Sequence, residues 1–481
     1  MKIGRNQYLI VPQGIEDKFQ YNAKLEFGHN YVLLGEKCQT SIIKLANKEI
    51  LLVGYAINGQ NPQDTMDNML KQLANKLDKD AKNLPDLTLY WGGRWVIFIS
   101  IKNNLIAMTD CCGLKQLFYA ENVFGSQSRY VAYATNKEKN TEATHYIQMA
   151  MTIDKEYSWP LDSTLYNEVK RLLPNHLYIR NHVERFKPSE QFSNMGQSER
   201  INAISILLKN IVKAATYHAK LAVTLTAGWD SRLVLASCNN VKENTNVLTL
   251  KYHHMPNNHI DIEISKQLCK KYGYEYKVLT CNSLNSEFVE DYRNHSENAH
   301  DYWIQMAQSI RDYKYENWLW TKGSCNEISR NSSGILYNWQ INSRILSKLY
   351  GIYPCNYSKA IIEEWLKEAK CYASQTNYSV MDIFYWEHRL GSWLAECLNE
   401  SDIAGETFTP FNVRAYFELI KYIAVEKRTS PNYLFFQEIL KKMDMSLDIP
   451  INPHRYDSIT AKIKCLIKNK LHIIYGIILN K

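Results

Sequence analysis

The chain reads as two fold classes in series: a sheet-dominated α+β half over residues 1–188, then an α/β half with a parallel sheet over 200–455 and a mostly helical C-terminal part. Three observations predict this. The first half holds short β-rich runs with one clear helix among them. From Ile201 onward helices alternate with strands, the pattern of a parallel sheet. Between them, Ser189 to Glu199 is polar and poor in large apolar residues, as a linker is.

Each element follows from its residues. Tyr31–Leu34, Glu49–Ile57, Trp95–Ile99 and Leu105–Met108 are β-branched or aromatic-rich runs and read as strands. Met66, Met69, Leu70, Leu73 and Leu77 recur at helical spacing after Pro62. In the second half, Ile204, Leu207, Leu208, Ile211 and Val212 mark a helix that leads into a short apolar strand, Leu221 to Leu225. Val247–Leu250 is the next strand, Ile262–Tyr272 a helix, and Tyr276–Thr280 a further strand. Beyond Glu297 the pattern is helical. Residues 456–481 place Ile459, Ile463, Leu466, Ile467, Leu471, Ile474 and Ile478 among Lys462, Lys464, Lys468 and Lys470. That is a basic amphipathic helix, which either docks onto the protein's own core or makes peripheral contact with an anionic membrane surface.

Bulk properties narrow the function. With 481 residues there is room for two or three domains. A net charge of +8 is modest at this size and does not call for a nucleic-acid partner; acidic small molecules, ATP among them, suit it equally. The 11 cysteines are odd in number, form no Cys-x-x-Cys pair and include the neighbours Cys111 and Cys112, so reduced thiols in a cytoplasmic protein are expected. The first residues carry no apolar signal core, and no apolar run reaches the ~20 residues of a membrane span. His253, His254 and His259 lack the spacing of a zinc site.

The stretch Leu221–Leu233 is the most informative. A buried strand, a small turn (Thr226-Ala227-Gly228) and a helix start bearing Asp230 and Ser231 bring backbone N–H groups to one place. Such a loop on a helix N-terminus binds phosphate, and an Asp beside it suits the magnesium that accompanies a nucleotide. The Gly-x-x-x-x-Gly-Lys-Ser/Thr loop is absent. Thr226–Ser231 instead resembles the Ser-Gly-Gly-x-Asp-Ser loop of the ATP-pyrophosphatase superfamily, with Thr for Ser and Ala for the first Gly. That superfamily cuts between the first and second phosphates, giving an adenylate and pyrophosphate.

Further stretches, in matching order, resemble the asparagine synthetase family. Gly93–Phe98 with Thr109–Tyr119 is similar to its "Gly-x-Phe … Asp-x-x-Gly-x-x-Pro-Leu-Tyr-Tyr" hairpin, and Thr164–His176 to the segment ending "Leu-Pro-Pro-Gly-His". Asp261 heads a helix similar to "Asp-x-x-x-Ala-x-x-x-Ala-x-x-x-Gly". Gly323–Arg330 resembles the segment written Ser-Gly-Glu-Gly-Ala-Asp-Glu. Glu387–Trp393 and Thr409–Arg414 resemble "Glu-x-Arg … Pro-Phe-x-Asp-x-Arg". The resemblance implies a glutaminase-like, Ntn-hydrolase-like α+β sandwich over 1–188, a linker over 189–199, and an ATP-pyrophosphatase (HUP-like) domain over 200–455. It also implies ATP and Mg2+ as cofactors and amide-bond formation through an adenylated carboxylate, with a small-molecule carboxylate and an amine or ammonia donor as partners. A homodimer is compatible with all of this.

The departures bear on mechanism. Family glutaminases attack with an N-terminal Cys; here position 2 is Lys2 and the first Cys is Cys38, so no glutamine hydrolysis is expected, and ammonia would come free, from a separate glutaminase or from the substrate's own amine. Beta-lactam and lasso-peptide cyclases of the superfamily share that loss. Asn326 stands where the family has a magnesium-holding Asp, in a Gly-x-x-x-Glu-Ile-x-Arg pattern that looks like a variant group of bacterial polysaccharide and secondary-product clusters.

The candidate nucleotide contacts are Leu225, Thr226, Ala227, Gly228, Asp230, Ser231, Arg232, Asp261 and Gly323; the candidate metal ligands are Asp230 and Glu327; the candidate catalytic residues are Glu327 and Lys427, with Arg428 beside the latter. Plainer roles stand next to these. Asp230, Ser231 and Asp261 are also helix-capping types, Arg232 is also a solvated surface residue, and Glu327 has an ion-pair partner in Arg330. Arg389 and Arg414 suit structural ion pairs better than substrate binding. Three readings of other kinds remain open: a catalytically degenerate scaffold, an RNA-modifying adenylase, and a true glutamine-dependent asparagine synthase.

Overall fold

The structure, a computed structural model, describes residues 1–102, 104–330, 338–430 and 432–453. The amphipathic helix expected over 456–481 lies outside the described residues.

The first half supplies β1 (Tyr8–Pro12), β2 (Ala23–Phe27), β3 (Asn30–Leu34), β4 (Thr40–Leu45), β5 (Lys48–Asn58), β6 (Trp91–Ile101), β7 (Asn104–Thr109), β8 (Phe118–Ala120), β9 (Val123–Gly125), β10 (Lys170–Arg171), β11 (His176–Ile179) and β12 (His182–Arg185). They form two six-stranded sheets, ordered β10-β8-β9-β1-β3-β2 and β12-β11-β7-β6-β5-β4. Every pairing in them is antiparallel. Period-2 alternation decides what each face meets. Tyr8, Ile10, Val32 and Leu34 of the first sheet share a core with Leu51, Val53, Val96 and Phe98 of the second. The alternate residues Ile50, Leu52, Ile97 and Ile99 pack outward on Met69, Leu70 and Leu73 of the Met66–Lys76 helix. Leu9, Val11 and Leu33 likewise meet Tyr130, Val131 and Ala134 of the Ser128–Thr135 helix. The half is therefore four layers, helix on sheet on sheet on helix.

The expected linker is packed rather than loose. Phe192 is buried, Arg200 donates to its carbonyl at 2.7 Å, and the Ser189 N–H donates to Glu418 at 3.2 Å. The Gln197–His218 helix begins inside it, because Glu199 reaches back to the Gly196 N–H at 2.7 Å.

The second half contains β13 (Leu221–Thr224), β14 (Thr245–Lys251), β15 (Tyr276–Thr280), β16 (Leu319–Thr321) and β17 (Thr407–Phe408). They form one sheet ordered β15-β14-β13-β16-β17, parallel throughout. Leu221 and Val223 face Ile204, Leu208 and Ile211 of the Gln197–His218 helix. Ala222, Leu248 and Trp320 face Phe288, Tyr292 and Ile310 on the other side. The sheet thus carries helices on both faces, as a parallel sheet must. Chain order reverses between β13 and β16, and in open sheets of this type ligands bind at that point, beyond the carboxyl ends of the strands.

The halves are joined by buried polar contacts. Asn412 donates to the Gly93 carbonyl at 2.6 Å and to Asp110 at 3.0 Å, and accepts from the Cys112 N–H at 2.9 Å. Trp386 donates its indole N–H to the Cys111 carbonyl at 2.7 Å. The ten described cysteines are free thiols. No described helix is long and apolar enough to cross a membrane.

Candidate functional site

Leu225 prolongs β13 by one residue. Its N–H donates to the Leu248 carbonyl and its own carbonyl accepts the Thr249 hydroxyl, each at 2.8 Å. The turn after it is tied inward. Thr226 N–H donates to Ser231 Oγ at 3.2 Å, the two hydroxyls lie 3.0 Å apart, and Gly228 N–H points to Thr226 Oγ1 at 3.3 Å. Ala227 N–H donates to Asp261 Oδ1 at 2.8 Å, so Asp261 shapes the loop from the adjacent helix. Gly228 caps the Trp229–Ser237 helix in an extended conformation (φ −82°, ψ 168°) that any residue adopts. A Cβ there would meet only ordinary contacts, 3.4 Å from Thr226 Oγ1 and 3.8 Å from Asn452 Oδ1, so the turn itself does not demand glycine.

The second wall comes from the turn after β16. A Cβ on Gly323 would stand 2.8 Å from Asp230 Cβ and 2.9 Å from Asp230 C, so only glycine lets this turn meet the start of the Trp229–Ser237 helix. Cys325 is buried in the left-handed region (φ +72°), which turns the chain so that Asn326 and Glu327 face Asp230. Asn326 Nδ2 donates to Asp230 Oδ1 at 2.8 Å, and Asn326 Oδ1 accepts hydroxyls from Tyr416 at 2.5 Å and Ser329 at 2.8 Å. Arg330 Nη2 lies 2.7 Å from Asp230 Oδ2 and 3.8 Å from Glu327 Oε1. Tyr385 donates to Glu327 Oε2 at 3.2 Å. Burial pushes the Asp230 carboxyl up, Arg330 pulls it down and Glu327 pushes it up again.

The structure brings Thr226, Ala227, Gly228, Asp230, Ser231, Asp261, Gly323 and Glu327 together in one group at the carboxyl ends of β13 and β16. Leu225 takes part only through its main chain. Two of the expected residues lie away from this group. Arg232 does not face the cleft: it is fully buried and donates to the Ile449 and Pro450 carbonyls, both at 2.7 Å. It follows Trp229 by three residues and so shares that side chain's buried helix face; burial lowers its guanidinium to about 10. Lys427 is not brought to the loop, because its ammonium is held by Gln197 at 2.8 Å and Glu438 at 3.6 Å. Its neighbour Arg428 is nearer the site, donating to the Ile328 carbonyl at 3.1 Å.

The Asp230–Glu327 metal pair does not fit a cation in this arrangement. A divalent ion needs free carboxylate lone pairs. Each oxygen of Asp230 already accepts one donor, Oδ1 from Asn326 and Oδ2 from Arg330, and the Asn326 amide turns its nitrogen, not its oxygen, toward Asp230. The guanidinium of Arg330 stands where the positive charge would sit.

Arg389 and Arg414 each sit in an ion pair. Arg389 pairs with Glu156 at 2.6 Å, and Arg414 with Glu418 at 3.5 Å. Lys322 belongs to no motif of the sequence. It directly follows β16, and its Nζ lies 2.8 Å from the centre of the Trp303 ring and 3.5 Å from Met306 Sδ. Burial lowers its ammonium to about 7, against the opposing pull of Cys397 and Glu327. What marks it in the sequence is its place at a strand's carboxyl end, beside the point where strand order reverses.

No protein-family model matches the chain, and no curated protein matches it at a significant level. Among solved structures, an NH3-dependent NAD synthetase from Campylobacter jejuni overlaps it at 17% identity, over 41% of this chain and 93% of that one, with a TM-score of 0.22. An NMN synthetase from Francisella tularensis overlaps at 13% identity, over 41% of this chain and 94% of that one, with a TM-score of 0.21. A glutamine phosphoribosylpyrophosphate amidotransferase from B. subtilis overlaps at 11% identity, over 60% of this chain and 64% of that one, with a TM-score of 0.20. Scores this low carry no argument, and the reading of the cleft rests on strand order and on the residues that line it.

Proposed function

We propose that the chain is an ATP-dependent amide-forming ligase of the ATP-pyrophosphatase type, similar to asparagine synthetases but without glutaminase activity of its own. One observation carries this reading. The Thr226–Ser231 loop, on a helix N-terminus, and the Gly323–Arg330 turn converge at the reversal point of a five-stranded parallel sheet. A substrate carboxylate would attack the first phosphate of ATP there. The loop and the first helical turn would hold the departing pyrophosphate. An amine or ammonia would then take the acyl group, releasing AMP. Ammonia would arrive free, from a separate glutaminase, or as the substrate's own amine.

The test is calorimetric titration of ATP into the full chain, followed by screening of carboxylic acids for AMP and pyrophosphate release. Saturable binding that Asp230→Asn weakens, with AMP release for at least one acid, supports the ligase. A second reading, a catalytically degenerate scaffold, is favoured by the Asn326 and Arg330 contacts that occupy Asp230. ATP binding with no AMP release from any acid would favour it.

A further inference from the structure

The cleft holds its own positive charge. Arg330 Nη2 is 2.7 Å from Asp230 Oδ2, and Asn326 is locked by Tyr416 and Ser329 with its amide nitrogen on Asp230 Oδ1. Arg330 therefore pairs closely with Asp230 and more distantly with Glu327, whose Oε1 lies 3.8 Å away. The Asp230 contact engages Nη2 alone; the Nε–H has no hydrogen-bond partner but is buried, so a ligand would meet it only after the side chain shifts. A guanidinium carries five N–H donors in a rigid planar fork that matches phosphate oxygens, and it stays charged at any working pH. Its anchoring carboxylate lies in the first turn of the helix that follows the phosphate-type loop.

We propose that Arg330 takes the place of the divalent cation in this cleft, so that the polyphosphate of a nucleotide binds at the Thr226–Ser231 loop without magnesium. This rests on the reading of that loop as a nucleotide site. Arg330 keeps its bond to Asp230, which positions it, and offers its remaining donors to phosphate oxygens. The Asn326 amide holds the other Asp230 oxygen away from metal. Replacing the family's Asp by Asn at 326 and placing Arg at 330 are then two parts of one exchange, a mobile cation for a tethered one.

The experiment titrates ATP into the full chain in EDTA and in magnesium, for the wild type, Arg330→Lys and Arg330→Gln. Wild-type affinity should agree within about threefold between the two conditions, a difference worth less than one power of ten in Kd. Arg330→Gln should lose at least about tenfold in EDTA, with Arg330→Lys falling between, since Lys keeps the charge but not the fork. Electron paramagnetic resonance with Mn2+ alone gives a readout independent of nucleotide. The wild type should bind no Mn2+ in the cleft, and the double variant Asn326→Asp, Arg330→Gln should gain a site. ATP binding that demands magnesium would overturn the inference and leave the loop reading standing, as would Arg330→Gln binding like wild type in EDTA. No ATP binding in either condition would overturn both. Should Arg330→Gln fail to fold, the wild-type comparison and the Mn2+ spectrum decide alone.

Discussion

Arg94 and Asp402 meet two nitrogens to two oxygens, at 2.6 and 3.0 Å, fully buried and 308 residues apart. Arg94 lies on β6 of the sandwich, and Asp402 in the second half, after the Ala395–Ser401 helix. A buried pair adds little net stability but is costly to break from one side. Arg94→Met should therefore destabilise the protein by about 3–5 kcal/mol by stranding the Asp402 charge. Arg94→Met with Asp402→Leu should recover much of that. Urea unfolding followed by tryptophan fluorescence checks both, and a single-variant loss below about 1 kcal/mol would mean the pair is solvated in the native state.

Gly323→Ala forces a methyl against Asp230 backbone and Cβ atoms at under 3 Å. Neither wall is a flexible side-chain tip, so the Trp229–Ser237 helix must shift. We expect a loss of about 1–3 kcal/mol in stability from overpacking, and a larger fractional loss of ATP affinity than of folding. Melting temperature and calorimetric Kd, measured on one preparation, separate the two.

Asp261→Ala removes the acceptor of the buried Ala227 N–H. The orphaned donor should cost about 1–3 kcal/mol, felt as a looser loop and weaker nucleotide binding. Asp261→Asn keeps an oxygen in place and should retain most of the affinity. Equal losses in both variants would assign Asp261 to direct contact with the ligand instead.

Lys322 should titrate near pH 7, since burial lowers it to about 7 from 10.5. The unfolded chain holds this proton up to the ordinary lysine range and the folded protein releases it earlier. Between those two values the unfolded state binds more protons, so stability from this group rises with pH. Lys322→Met should flatten that rise in a series of melting curves. Reductive methylation at pH 7.5, followed by peptide mapping, should label Lys322 out of proportion to its exposure. An ordinary lysine profile would contradict the burial argument.

Much of this architecture was legible in the residues. Leu221–Leu225 read as a central strand because it is short, apolar and followed by small residues, and periodicity placed the Met66–Lys76 helix. Thr226–Ser231 could be placed at a strand's carboxyl end because strand, turn and helix signals run consecutively. Contacts made across long sequence distances were not legible. Arg232 looked like a phosphate ligand because nothing local says that Ile449 and Pro450 will cap it. Lys427 drew attention as a basic residue in the right region, yet Gln197 and Glu438 decide where it points. Asn326 stands out in the sequence as a departure at the magnesium position, but which way its amide faces depends on Tyr416, 90 residues away.

The last described residues lie across the start of this cleft. Asn452 donates to the Ala227 carbonyl at 3.0 Å, and Ile449 and Pro450 satisfy Arg232. During synthesis the loop leaves the ribosome more than two hundred residues before its clasp does. Until then Arg232 carries an unsatisfied charge inside a forming core, which is costly. The loop of the proposed nucleotide site thus gains its last contacts only after Ile449, Pro450 and Asn452 have emerged. A chain truncated shortly before Ile449 would keep every residue of the loop and still lack the loop's final shape.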